Sequence, residues 1–380
     1  MSRAHLMPTY ADPPATFVRG EGTCLYDDTG KEYLDFLSGL AVTSLGHAHP
    51  KVAAAIAQQA ATLSHVSNLF GNEVGPAVAG TLDELIGGGG QVFFSNSGAE
   101  ANECAIKLAR LAGGPGKHVV ISAFGSFHGR TLATLHATGQ PAKHEKFQPL
   151  PDGFIHAAAF DLDDIARLTD ASTAAVLIEV VQGEGGVHPA PEGFVRDLRA
   201  LCDERGVLLI VDEVQTGLGR TGEWFGFQHS GVRPDIVTVA KALGNGMPIG
   251  ACWARAEVAS VFEPGDHGST YGGQPLAAAA ARATLDELIA IDAPAAARRA
   301  GARLSDGLSQ LPGVAAVRGL GLLLGAELVE GNAKGVNKAL LDAGLVANAV
   351  TETALRFAPP LNVSDDEIDA ALAILKEVLS

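Results

Sequence analysis

The sequence predicts an α/β protein with a large, mostly parallel-sheet lobe and a smaller α+β lobe. Three observations predict it. At 380 residues and 47% hydrophobic, the chain can bury more than one core, since single cores stop growing near ~250–300 residues. From Lys51 to Thr270, apolar runs of strand length alternate with helical patterns, the texture of parallel strands covered on both faces. After Thr270 the texture changes to long Ala-rich helical stretches.

Taken in order, residues 16–36 read as short strands around the turn Asp27-Asp-Thr-Gly30, a flap in an N-terminal segment (1–50) that packs with the small lobe. The large lobe, 51–270, carries strand runs at 91–95, 119–122, 175–180, 207–212, 236–240 and 249–253. The small lobe, 271–380, begins with helical stretches at 274–289 and 295–311, followed by strand-like 314–318 and 322–328. Its last helix opens on Ser364-Asp-Asp-Glu367, a capping box in which each side chain meets the other's orphan N–H.

Charge and cysteine usage narrow the function. The net charge of −16, from 43 acidic against 27 basic residues, disfavours nucleic acid and anionic membrane as partners. Cys24, Cys104, Cys202 and Cys252 are far apart in sequence, with no CxxC pair, as expected of reduced thiols in a cytoplasmic protein. No apolar run approaches the ~18 residues of a membrane span.

Three stretches could carry chemistry. At 92–110 a strand runs into a helix opened by Ser97 and Glu100, with Ala101, Cys104, Ala105, Leu108 and Ala112 at helical spacing. The free N–H groups of Gly98 and Ala99 would suit a phosphate, although an ordinary capped helix has the same pattern. At 207–212 five apolar residues deliver Asp212 to the carboxyl end of a strand, where open α/β sheets place ligands. A carboxylate there could pair with a cationic ring nitrogen. At 235–250 Lys241 ends an apolar strand and is followed by glycines. A lysine is rarely buried without a partner, so the alternatives are a surface lysine at a strand end and covalent use of the amine as an imine.

Three near-misses surround them. GLGRTG at 217–222 spells GxGxxG after a strand, but a dinucleotide site needs those glycines to open an apolar-periodic helix, and EWFGFQ follows instead. GGPGK at 113–117 is too short for a P-loop, and His118 replaces its Ser/Thr. His47, His49 and His128 lack metal-ligand spacing and read as satisfied structural histidines.

Eight ordered segments resemble the class III aminotransferases: LGHAHP at 45–50, NSGAEANE at 96–103, FHGRT at 127–131, VQGEGG at 181–186, DEVQTG at 212–217, KALG at 241–244, GSTYGG at 268–273 and LRF at 355–357. The resemblance covers nearly the whole chain and implies the aspartate-aminotransferase type of fold (fold type I) with pyridoxal 5'-phosphate as cofactor. It implies that Gly98 and Ala99 hold the phosphate, Phe127 stacks on the pyridine, Val214 packs on its other face and Gln215 reaches the phenolic oxygen. Asp212 would keep the ring nitrogen protonated, so that the ring absorbs carbanion charge. Lys241 would anchor the cofactor and then carry the proton. Thr270 would reach the phosphate in a partner subunit, implying a homodimer.

For the substrates, the resemblance implies that Arg356 takes the α-carboxylate and pairs with Glu184 when unengaged, while Arg130 binds a second acidic group with Ser269 beside it. FHGRT and HVSNLF (65–70) resemble most the acetylornithine branch, which transfers the δ-amino group of N2-acetyl-L-ornithine to 2-oxoglutarate in arginine biosynthesis. Val180 stands where the family commonly has proline. Ornithine, succinyl-ornithine, succinyl-diaminopimelate and 4-aminobutyrate aminotransferases share the cofactor machinery. A nicotinamide dehydrogenase built on 217–222 and a cofactor-binding protein without turnover are the readings from other classes.

Overall fold

The structure, a computed structural model, describes residues 5–380. Its centre is a seven-stranded sheet in the order Gly90–Ser95, Gly250–Arg255, Ile236–Val239, Leu208–Asp212, Thr173–Ile178, Val119–Ala123 and Phe154–Ala157. Gly250–Arg255 runs antiparallel to both neighbours, and the remaining pairings are parallel. Every residue of Val119–Ala123 and Thr173–Ile178 is buried, which explains their unbroken apolar runs: helices cover both faces, leaving no solvent side to alternate with.

Each predicted strand of this sheet forms within two residues of its expected bounds. The edge strand Phe154–Ala157 was not anticipated, because its alternating polar His156 breaks the apolar run. Gly90, the last of the glycine run 87–90, opens the first strand.

C-terminal to the large sheet, helix Pro275–Ala290 packs on helices Pro50–Thr62 and Val74–Ile86. Helix Ala293–Ser309 then covers an antiparallel sheet of Val314–Leu320, Leu323–Leu328, Ala354–Phe357 and Asn348–Ala349. The N-terminal strands Phe17–Glu21, Cys24–Asp27 and Glu32–Asp35 pair among themselves and add Leu345–Val346 in parallel. Helix Asp365–Val378 has the capping box read from sequence, the Glu367 N–H donating to Ser364 Oγ at 3.3 Å and the Ser364 N–H to Glu367 Oε2 at 2.7 Å. No helix among the described residues is long and apolar enough to cross a membrane.

The GxGxxG stretch ties the layers together. It opens no helix. Gly219 (φ 93°) and Gly222 (φ 98°) approach Ala293 and Arg298 closely enough that a Cβ would lie 2.8 and 2.7 Å from their side chains. Between them Arg220, 1% exposed, donates to the carbonyls of Leu322 (3.0 Å) and Pro359 (2.5 Å) and to Ser44 Oγ (3.1 Å). These glycines serve backbone contact and not a pyrophosphate.

Nearby, a Cβ on Gly301 would sit 2.1 Å from the Gly321 carbonyl oxygen. Gly→Ala inside a helix normally gains up to ~1 kcal/mol. Here the clash is with backbone, which cannot rotate away, so Gly301→Ala is expected to destabilise by about 2 kcal/mol, read as a lower thermal unfolding midpoint.

Candidate active site

Five parallel strands deliver their carboxyl ends to one cavity, as open α/β sheets do. The cavity encloses about 390 Å³. Ser95 leads into the turn before helix Gly98–Gly113, Ala123 leads to Phe127, and Ile178 to Glu179. Asp212 ends its own strand, and Lys241 follows Val239 by two residues. Gly98, Ala99, Phe127 and Arg130 line the cavity, together with Asp212, Val214, Gln215 and Lys241.

One end of the cavity is a helix N-terminus. Ser97 Oγ caps it by accepting from the Glu100 N–H at 3.2 Å, and first-turn N–H groups such as those of Gly98 and Ala99 have no intrahelical acceptor. A Cβ on Gly98 would lie 2.8 Å from both Val214 methyls, so glycine is required for this wall to close.

Asp212 is 4% exposed and accepts three hydrogen bonds. Oδ2 receives Asn102 Nδ2 at 2.8 Å and His128 Nδ1 at 2.9 Å, and Oδ1 receives the Val214 N–H at 3.0 Å. Thr238 Oγ1 donates to Asn102 Oδ1 at 2.8 Å, which fixes the amide so that its NH2 faces the carboxylate. His128 therefore departs from the expected satisfied structural histidine: one nitrogen serves Asp212, and Nε2 is buried without a partner. Replacing it by leucine removes a bond to a charged group, so His128→Leu is expected to lower kcat about tenfold while cofactor affinity, measured by titration of apoprotein, falls much less.

Lys241 sits in left-handed backbone at φ 43°. No described residue accepts a hydrogen bond from its amine. Burial, then the Arg356 guanidinium, pushes that amine below the usual lysine range, against the pull of Glu184, Asp212 and Glu179. Glu179 Oε2 accepts the Phe127 N–H at 3.0 Å. Burial, then the charge of Asp212, raises the Glu179 carboxyl well above its usual range.

Arg356, on Ala354–Phe357, is 1% exposed. Its NH1 donates to Glu184 Oε1 at 2.8 Å and Gln215 Oε1 at 3.2 Å, and its NH2 to Asn348 Oδ1 at 2.8 Å. Burial alone would raise the Glu184 carboxyl, but Arg356 outweighs it and holds it below its usual range. Gln215 lines the cavity and touches Arg356, joining the two regions.

Ser269 and Thr270 lie outside this cavity within one chain. They line an adjacent pocket of about 290 Å³ with Asn96, which borders both, and Asn96 Nδ2 donates to Ser269 Oγ at 3.2 Å. Ser269 and Arg130 are therefore not brought together within the chain.

The set fits pyridoxal 5'-phosphate: a glycine-walled helix N-terminus, Phe127 and Val214 as apolar ring neighbours, a buried carboxylate and an unpartnered amine. The class III aminotransferase profile matches residues 7–379. The chain belongs to the class III aminotransferases. This class III aminotransferase is 48% identical to the acetylornithine aminotransferase of Corynebacterium efficiens, over 99% of this chain and 95% of that one. It is 49% identical to the acetylornithine aminotransferase of Gloeobacter violaceus, over 99% and 96% of the two chains. Among solved structures, the ornithine aminotransferase of Toxoplasma gondii superposes with a TM-score of 0.94 at 35% identity, covering 99% of this chain and 92% of that one. That crystal has pyridoxal phosphate at partial occupancy in its active site. The large parallel-rich sheet with its smaller antiparallel partner is the fold type I arrangement.

Asn102, Thr238, Glu179 and Asn348 were missed in the sequence. The available signal was a polar side chain inside an apolar pattern: Asn102 between Ala101 and Cys104 on the helix, Thr238 within Ile-Val-Thr-Val, and Glu179 within an otherwise apolar run. Asn348 carries no such mark.

Proposed function

We propose that the chain is an acetylornithine aminotransferase: with pyridoxal 5'-phosphate it moves the δ-amino group of N2-acetyl-L-ornithine to 2-oxoglutarate, giving N-acetyl-L-glutamate 5-semialdehyde and L-glutamate in arginine biosynthesis. The observation that carries the reading is Arg356 paired with Glu184 beside the Lys241 cavity, with a second arginine, Arg130, at the cavity wall.

The cofactor supplies an electron sink for the charge left when a proton leaves the reacting carbon. The chain's residues do the rest. Gly98 and Ala99 would hold the phosphate, Phe127 and Val214 would confine the ring, and Gln215 would serve its phenolic oxygen. Asp212 keeps a proton on the ring nitrogen. Lys241 would anchor the cofactor through Nζ, and the same amine could hold and move a proton at the reacting carbon; its lowered proton affinity suits the base role. Arg356 orients a carboxylate through two parallel N–H donors. With Glu184 bound to it, the arginine is neutralised for a donor whose reacting end has no carboxylate. With Glu184 displaced, it accepts 2-oxoglutarate.

The protein acts as a homodimer, Thr270 serving the partner's phosphate site and Ser269 its acetylated substrate end. This accounts for their position in a pocket apart from their own cavity. We place the reaction in the cytoplasm, consistent with four free cysteines.

The test is product formation from single donors with 2-oxoglutarate as acceptor. N2-acetylornithine is expected to give the highest kcat/KM, by about tenfold or more over ornithine and 4-aminobutyrate. A preference for 4-aminobutyrate or free ornithine would sink the assignment. Light scattering is expected to report twice the chain mass.

A further inference from the structure

Two cations stand at the cavity without a counter-ion from the chain: Arg130 lines it, and Lys143 flanks the Phe127 ring of its wall. No carboxylate among the described residues lies within ion-pair distance of Arg130 or Lys143. What sets these two apart is their placement, both beside one aromatic ring at the cavity.

Arg130 Cζ and Lys143 Nζ each lie 5.6 Å from the centroid of the Phe127 ring, whose residue lines the cavity. Lys143 is held there. It closes the short turn Pro141–Lys143, its amine donating to Gln140 Oε1, and Gln140 Nε2 donates to the Ser126 carbonyl at 3.0 Å. Ser126 precedes Phe127, so the amine is tied to the segment that forms the cavity wall. Burial, then Arg130, pushes the amine below the usual lysine range, while Glu184 pulls it back. Lys143 thus stands within electrostatic reach of both Arg130 and the glutamate that guards Arg356.

We propose that Lys143 and Arg130 together form the subsite for the substrate carboxylate remote from the reacting carbon, making Lys143 a specificity-determining residue for acidic substrates. This rests on the reading of Arg130 given above. Both substrates of the proposed reaction carry such a carboxylate, at the acetylated end of N2-acetylornithine and at the far end of 2-oxoglutarate. Arginine supplies a fixed fork and lysine a mobile point charge, so the pair can follow the remote carboxylate of two chains of different shape.

The experiment compares holoenzymes of Lys143→Met, Lys143→Arg and Arg130→Met, with thermal melting to verify folding. Acceptors are 2-oxoglutarate and pyruvate, which lacks the remote carboxylate. Donors are N2-acetylornithine and N-acetylputrescine, which is the same chain without its carboxylate. Lys143→Met is expected to raise KM for 2-oxoglutarate and N2-acetylornithine about tenfold, the scale of one charge-assisted bond, with kcat nearly unchanged. Pyruvate and N-acetylputrescine are expected to be unaffected, and Lys143→Arg to keep most of the wild-type KM. Calorimetry with glutarate, which cannot react, is expected to show the same tenfold loss of affinity.

If Lys143→Met weakens 2-oxoglutarate and pyruvate equally, the lysine serves Glu184 or the ring, and the proposal is overturned. It is overturned too if no KM moves while Arg130→Met still loses selectivity for 2-oxoglutarate over pyruvate; the reading of Arg130 then survives. If Arg130→Met loses no selectivity, that reading fails and the subsite with it.

Discussion

Lys241→Ala protein is expected to lose at least about 10⁴-fold in transamination, because one side chain fills two roles and each is costly to remove. A positioned general base alone contributes about 10²–10⁴-fold. The amine that would anchor the cofactor is the same group that would later move the proton, and no second lysine lines the cavity to replace the anchor. Burial, then the charge of Asp212, raises the Glu179 carboxyl well above its usual range, and Asp212 is occupied by three donors. Loss of the amine is expected to be clean structurally. Position 241 already sits at φ 43° as a non-glycine residue, and alanine meets the same backbone condition. Two measurements check this. Borohydride treatment followed by intact mass is expected to fix the cofactor to wild type and not to the variant. Added methylamine is expected to restore part of the proton transfer while leaving the anchor missing. A variant that kept its colour through dialysis and more than about 1% of its rate would show that another amine does the work.

Lys241 and Asp212 were legible in the sequence because both end apolar strands, and a strand end in an open α/β sheet has a known destination. The same periodicity located six strands of the central sheet. Two kinds of feature escaped it. One is convergence: Asn102, His128 and Thr238 meet at Asp212 from a helix, a loop and a neighbouring strand, and local spacing holds no record of which distant elements become adjacent. The other is backbone imposed by packing. Ser38, Gly39, Leu40 and Ala41 all have positive φ, from 51° to 72°, a left-handed turn that costs about 1–2 kcal/mol for each non-glycine residue. Nothing in Ser-Gly-Leu-Ala asks for it. The turn is held by Asp35, whose Oδ1 accepts the N–H groups of Leu37 and Ser38, and it delivers Val42 to the cavity wall. Thr270 illustrates a third case, in which the motif was readable but its destination is in another copy of the chain on the reading proposed here.

Asp212→Asn is expected to lower kcat by about 10³-fold or more, although the two side chains have nearly the same shape. The charge is the first reason. A neutral amide cannot hold the proton on the ring nitrogen, and an unprotonated ring is a poor sink for carbanion charge. The hydrogen-bond pattern is the second. Oδ1 accepts the Val214 N–H, and Oδ2 accepts Asn102 and His128. An amide in either orientation therefore points its NH2 at a donor, and one buried donor is left unsatisfied at a cost of about 1–3 kcal/mol. His128 can relieve its own share by moving its proton to Nε2, but Asn102 cannot, because Thr238 fixes its amide. The two causes separate experimentally. A cofactor analogue methylated on the ring nitrogen carries a permanent positive charge, so it is expected to recover much of the lost rate in Asp212→Asn protein if charge dominates. Equal rates with the methylated and the natural cofactor would mean that the hydrogen-bond mismatch displaces the ring, and that Asp212 acts through position rather than charge.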